Sequence, residues 1–397
     1  MAEGRQLEEL DLPQVWPLSR GAGQTVAVID TGVTRHRLLP HLVPGGDYVH
    51  AGDGTDDCDG HGTIVAGIIG ATEDATGGAG FSGVAPDATI VGIRQSSVKF
   101  APTGQSAPGF GDVDTLAEAI RTAADMGASV INVSSIACVA ASDGLDDRAL
   151  GASLAYAVDV KNVVVVAAAG NVGGLGQCPD QNPPADPAHR GRPDWDSVKV
   201  VVTPAWYDEY VLTVGSTDVH GAPSQFTLAG PWVDVAAPGE SVVSLDADGE
   251  GLVDSLPVLG NQAPIVGTSY AAPVVSGIAA LVRARSPHLT ARQVMQRIKD
   301  TAHRPPEGWN PFVGYGVVDA LAAVSGGAAT TNMIVADAES GYSGKRSDVP
   351  AQAVGQDRSG RRVAFGGAGL CVAAVAAALT TASSLGRLRR RDTVTGE

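Results

Sequence analysis

Short apolar, β-branched runs recur along this chain and are separated by helix-forming stretches, and nothing else in the sequence limits its fold so strongly. Residues 24–30 (QTVAVID), 89–93, 129–134 and 163–168 read as strands. None alternates polar with apolar side chains, so each predicts a strand covered on both faces, as in a parallel sheet. Residues 61–71 (HGTIVAGIIGA), 114–126 and 149–158 read as the intervening helices, and a longer helix runs from Ser269 to about Ala284. This alternation predicts an α/β fold: a three-layer sandwich with a central, mostly parallel sheet.

The flanks divide the chain further. Residues 1–20 predict an irregular arm that packs Leu12, Val15, Trp16 and Leu18 on a main domain at 21–325. Pro, Gly and Asp crowd into 173–193, which reads as a surface loop. Residues 326–362 read as a flexible Gly/Ser/Asp linker. Residues 363–385 carry no charge. As a helix they would measure roughly 34 Å at about 1.5 Å per residue, enough for a hydrocarbon core of ~30 Å. A buried soluble helix is the competing reading, disfavoured by the linker that isolates this segment. Arg387, Arg389, Arg390 and Arg391 follow in a basic tail over 386–397. The positive-inside tendency makes that tail cytoplasmic and the main domain extracytoplasmic, so the expected partners include the lipid bilayer. An N-terminal domain outside the membrane calls for a leader. The apolar core of one is not seen before the arm, so the natural start is expected upstream, or the chain is a processed form.

Four segments carry chemistry. Asp30 ends a strand in Asp30-Thr31-Gly32, which alone reads equally as a strand-end turn. An aspartic-protease reading needs two such motifs, and one is present. His61 stands between Gly60 and Gly62 at a helix start, where an incidental capping loop is the bland alternative. Ser269 opens the long helix in GTSYAAP (267–273). A serine there is ordinarily an N-cap, yet a helix N-terminus also favours developing negative charge. Asn171 follows a strand in AAAGN (167–171), as a turn residue or as a side-chain N–H donor. Serine-driven peptide hydrolysis needs a base, an anion to orient it, and donors for an oxyanion. The four together supply each part.

The segments VIDTGV (28–33), GHGT (60–63), AAAGN and GTSYAAP resemble the subtilisin-like serine proteases over roughly residues 12–325. The order Asp, His, Ser is also theirs. The resemblance implies that Asp30 orients the base, His61 is general base and then acid, and Ser269 is the nucleophile. Asn171 with the Ser269 amide would form the oxyanion hole. Ser134, Ser135 and Ile136, with Ala168, Ala169 and Gly170, would line the substrate cleft and pair with a peptide as an added strand. Ile136 falls where relatives often have Gly, which narrows the pocket and favours small residues before the scissile bond.

A narrower resemblance is to the mycosins, subtilases attached to type VII secretion systems. It rests on LDLPQVW (10–16), DCDGH (57–61), GIRQSS (92–97), the insertion at 178–206, the linker and the C-terminal anchor. It implies a membrane-anchored serine endopeptidase that trims selected secreted polypeptides at the outer face of the cytoplasmic membrane, partnered with the secretion membrane complex. A broad degradative surface protease and a structural stabiliser of the secretion complex are the alternatives.

The cysteines are Cys58, Cys138, Cys178 and Cys371, in no zinc-binding spacing. Read from the residues, Cys58 and Cys138 either bridge the His61 loop to a strand end or stay as buried thiols. The mycosin resemblance implies the Cys58–Cys138 disulfide and leaves Cys178 odd. A formal charge of −16 argues against a nucleic-acid partner. No cofactor is expected. The acidic stretch 53–59 reads as a solvated loop that matches no ordered calcium-ligand pattern, so no metal is expected either.

Overall fold

The computed structural model describes residues 5–73, 81–100, 111–144, 146–174, 178–184, 191–258 and 260–326. The expected membrane helix at 363–385, the basic tail and all but the first residue of the linker lie outside the described residues. Among the described residues no helix is long and apolar enough to cross a membrane.

The four β-branched runs read as strands do form strands, and three further strands, not expected from the sequence, join them in the sheet. β1 (Thr25–Asp30), β2 (Leu42–Asp47), β3 (Thr89–Arg94), β4 (Val130–Val133), β6 (Val164–Ala168), β8 (Val211–Thr217) and β9 (Val235–Pro238) make one sheet. Its order is β2-β3-β1-β4-β6-β8-β9, and every pairing is parallel. β4, β6, β8 and β9 are buried at every residue, as continuous apolar runs require. β2 is not legible in the sequence, because LVPGGD has neither alternation nor a β-branched run. Its place is held by Arg94, whose Nε donates to Asp47 Oδ2 at 2.8 Å in a buried ion pair.

Helices α2 (His61–Gly70) and α5 (Thr268–Arg285) pack together, as do α3 (Val113–Asp125) and α4 (Arg148–Ala155). α4 continues into a π-helical turn at Tyr156–Val160. α5 is buried around its whole circumference from Thr268 to Val282, apart from Ser269, and lies across β4, β6, β8 and β9.

The arm is helical rather than irregular. A 3₁₀ turn at Arg5–Leu10 leads into α1 (Leu12–Val15), with Pro13 in the first turn, where a missing N–H is harmless. Leu10, Leu12 and Val15 join the core. Trp16 Nε1 donates to the Val84 carbonyl at 3.0 Å, and Ser19 Oγ to that of Leu281 at 2.9 Å. Gln6 is 1% exposed, and its Nε2 donates to the carbonyls of Pro238 (2.9 Å) and Tyr270 (2.8 Å).

The segment after β6 is more than a surface loop. Asn182 is buried, giving Nδ2 to the carbonyls of Val200 and Ala229 and accepting the N–H of Lys199 and of Val200. It lies beside an antiparallel pair, β5 (Ala137–Ala140) with β7 (Val200–Thr203). The expected Cys58–Cys138 bridge is not formed. Cys138, in β5, bonds to Cys178, and Cys58 is exposed and free. The reason is the path of the chain after β6: the Cys178 N–H donates to the Asn171 carbonyl at 2.8 Å, which carries Cys178 to β5, whereas Cys58 sits on the turn before α2.

Candidate active site

Parallel strands point their carboxyl ends one way, and the chain lays β2 and β3 on one side of β1 before crossing to β4 on the other, so a cleft is expected at those ends. Asp30 closes β1, Ser134 follows β4, and Asn171 lies three residues beyond β6. Asp30 is fully buried and accepts at Oδ1 from its neighbour Thr31's N–H (2.8 Å) and from His61 Nδ1 (2.7 Å). Its Oδ2 is buried without a hydrogen-bond partner.

His61 reaches Asp30 because two glycine motifs interlock. A Cβ on Gly62 would stand 2.0 Å from the Gly32 carbonyl oxygen, and one on Gly32 would stand 2.1 Å from that of Asp56, at a φ of +100°. Only glycine lets the Asp-Thr-Gly turn and the start of α2 come this close.

Behind them lies Asp57, which the sequence alone puts in a solvated loop. It is 7% exposed. Oδ1 accepts from Thr31 Oγ1 (2.8 Å), the Gly60 N–H (2.8 Å) and the Asp59 N–H (3.2 Å), and Oδ2 from the Thr63 N–H (2.8 Å) and Thr63 Oγ1 (2.7 Å). Thr31 Oγ1 in turn accepts the Gly62 N–H at 2.9 Å. This carboxylate therefore ties the β1 turn to the first turn of α2. Its signal in the sequence is Thr at both 31 and 63, hydroxyls that can enclose an Asp in a buried turn.

Burial pushes the His61 imidazole down. The charge and hydrogen bond of Asp30 outweigh it, with smaller help from Asp57 and Asp59, and hold its pKa above the ordinary 6.5. Asp59 is fixed for this by Ser97 Oγ (2.5 Å) and the Val98 N–H (3.1 Å).

The other side of the cleft is the start of α5. The Tyr270 ring lies against the His61 ring, centroids 5.1 Å apart, which brings the turn bearing Ser269 to the imidazole. On the far side, the Thr268 N–H (2.9 Å) and Oγ1 (3.0 Å) both donate to Asn171 Oδ1. A main-chain donor fixes which end of the amide is oxygen, so Asn171 Nδ2 turns toward Gly267 and donates to nothing among the described residues. Asp30, His61, Ser269 and Asn171 are thus joined through contacts of their own or of adjacent residues.

Ser135 and Ile136 are half-buried and lie beyond the last pairing of β4, Val133 with Ala167. Ala168 and Ala169 are fully buried, and the Ala169 N–H is already given to the Val214 carbonyl. A Cβ on Gly170 would meet Cys178 Sγ, Leu228 and Val202 at 3.3 Å. The Ser134 side chain is buried, and its Oγ donates to the main-chain carbonyl of Ser269 at 2.8 Å. A cavity of about 450 Å³ lined by Asp208, Glu209, Asp234, Arg292 and Lys299 lies at the amino end of β8, remote from all of these groups.

The family model for the subtilase family (Peptidase S8) matches residues 21–316. The chain belongs to the subtilase family. It is a serine-type endopeptidase and, within the family, a mycosin. Mycosin-4 of Mycobacterium tuberculosis (strain ATCC 25618 / H37Rv) is 60% identical over 386 residues, covering 96% of this chain and 81% of that protein. Mycosin-1 of the same strain is 46% identical over 381 residues, covering 94% and 81%. Among solved structures, MycP1 with its N-terminal propeptide removed superposes with a TM-score of 0.74 at 43% identity, over 82% of this chain and 98% of that one. A chain of the intact ESX-5 inner membrane complex gives 0.74 at 39% identity, over 99% and 90%.

Proposed function

We propose that this mycosin cleaves selected secreted polypeptides at the outer face of the cytoplasmic membrane, held there by residues 363–385 and bound to a type VII secretion membrane complex. Asp30 holds the His61 tautomer whose Nε2 takes the proton of Ser269. Ser269 attacks the scissile carbonyl, and Asn171 Nδ2 with the Ser269 N–H receives the oxyanion. His61 then returns the proton to the leaving amine. The 2.7 Å bond between His61 and Asp30, on an imidazole that also touches the Ser269 turn through Tyr270, carries the reading. Ser135 and Ile136 would pair with the substrate as an edge strand, and the packing behind Gly170 would leave room for small residues before the scissile bond.

A structural role in the complex is the second reading, favoured by the likeness over 99% of this chain to a component of the ESX-5 inner membrane complex. Wild type, Ser269→Ala and a form lacking 363–397 separate the two in a strain without the protein. Processing requires that wild type trims a secreted protein and that Ser269→Ala does not. Full secretion by Ser269→Ala, with the substrate uncut, makes assembly the essential task. If the truncated form blocks secretion while wild type trims nothing, processing is wrong.

A further inference from the structure

α5 has a proline six positions into the helix, at Pro273. In an α-helix the N–H of residue 273 would bond to the carbonyl of residue 269, and proline has none. The main-chain carbonyl of Ser269 is therefore left over. It is taken instead by a side chain 135 positions away: Ser134 Oγ donates to it at 2.8 Å.

The direction of that bond is imposed from behind. Ser276 Oγ donates to Asn132 Oδ1 at 2.8 Å, which turns Asn132 Nδ2 toward Ser134. Asn132 Nδ2 donates to Ser134 Oγ at 2.9 Å. With a lone pair of Ser134 so occupied, its single hydrogen points at Ser269. Asn132 and Ser276 are fully buried and Ser134 is 2% exposed, so water does not compete. Three polar side chains inside β4, its following turn and α5 thus form one chain that ends on the main chain of Ser269.

We propose that Ser134 is a positioning residue for the nucleophile, acting through the Ser269 carbonyl and oriented by Asn132 and Ser276. This rests on the reading of Ser269 as nucleophile. The residue whose carbonyl is held supplies both the attacking hydroxyl and an oxyanion N–H, and small displacements of such groups lower the rate steeply. Ser134 touches no reacting atom, so its loss lowers kcat and spares KM.

The test uses purified protein, a small peptide substrate and a fluorophosphonate probe, with thermal unfolding as a check of folding. Ser134→Ala is expected to lower kcat about ten-fold, and the rate of fluorophosphonate labelling by the same factor, with KM within about two-fold. Ser134→Thr, which keeps the hydroxyl, recovers most of the loss. Asn132→Leu offers no donor to Ser134, so the direction of the hydroxyl is no longer imposed and kcat is expected to fall toward that of Ser134→Ala. If Ser134→Ala does not fold, Ser276→Ala stands in; it lies about two turns from Ser269 and is expected to lower kcat about three-fold. A raised KM with unchanged kcat makes Ser134 a cleft residue and overturns the inference. So does wild-type kcat in folded Ser134→Ala or Ser276→Ala, or equal losses in Ser134→Thr and Ser134→Ala. Activity remaining in Ser269→Ala, measured alongside, instead sinks the nucleophile assignment itself.

Discussion

Two residues divide the electrostatic work at the site, and each carries a measurable consequence. Asn171 is held by its oxygen, which leaves its Nδ2 without an acceptor among the described residues and free for the proposed oxyanion role. Asn171→Leu is expected to lower kcat by about 10²–10³ with little change in KM, the scale known for this donor from subtilisins themselves. Equal kcat in the variant would place the oxyanion elsewhere. His61 must be neutral to accept a proton, and its pKa is held above 6.5. Activity is therefore expected to rise with pH along a limb centred above about 6.5. Asp59→Asn removes one of the charges that raise it, so the limb moves to lower pH. The sign for stability is opposite. A histidine raised in the folded state contributes stability that is complete below its unfolded pKa and fades as pH climbs through the folded value. Thermal unfolding of Ser269→Ala, compared with Ser269→Ala/His61→Gln across that range, is expected to show an advantage that shrinks upward in pH. An advantage growing with pH contradicts this.

At the scale of elements, the parts legible in the sequence are those encoded locally. Buried runs such as VVVAA, and the glycine-flanked Asp, His and Ser motifs, each carry their meaning within a few residues. What stays hidden depends on elements meeting. Asp57 reads as one more acid in a polar loop until Thr31 and Thr63, from different elements, enclose it. Cys178 finds Cys138 only because the chain turns back past Asn171. Asn132 in an otherwise apolar, fully buried strand demands partners for its amide, but the sequence does not show which. Gln6 belongs with these. It links the arm to β9 and to the turn after Ser269, and its Oε1 is itself buried without a partner. Gln6→Ala is expected to destabilise the protein by about 1–3 kcal/mol by leaving carbonyls unpaired, and chemical denaturation measures it. No loss of stability would mean that the arm is held by its other contacts, the packing of Leu10, Leu12 and Val15 and the hydrogen bonds of Trp16 and Ser19. Ile136 packs against the main core and against a smaller apolar cluster that includes Cys178, Val202 and Trp232, and Gly170 is backed by Cys178, Val202 and Leu228. A peptide library is therefore expected to be cut after Ala or Ser, and Ile136→Gly to admit larger residues. Cleavage by wild type after Phe or Tyr contradicts the narrow pocket.

For the whole molecule, one parallel sheet does the organising. It sets β1, β4 and β6 side by side, so groups as remote in sequence as Asp30 and Ser269 are delivered to one edge. Gln6 ties the arm to the turn bearing Ser269, and the Cys138–Cys178 bridge ties β5 to the segment after β6. Everything functional then depends on whether Ser269 is activated by His61 in the folded protein. Labelling with a fluorophosphonate, mapped by peptide mass spectrometry, asks this directly. Modification is expected at Ser269 in wild type and to be nearly lost in folded His61→Ala. Labelling at another residue, or at Ser269 equally fast without His61, would contradict a nucleophile activated by the His61–Asp30 pair.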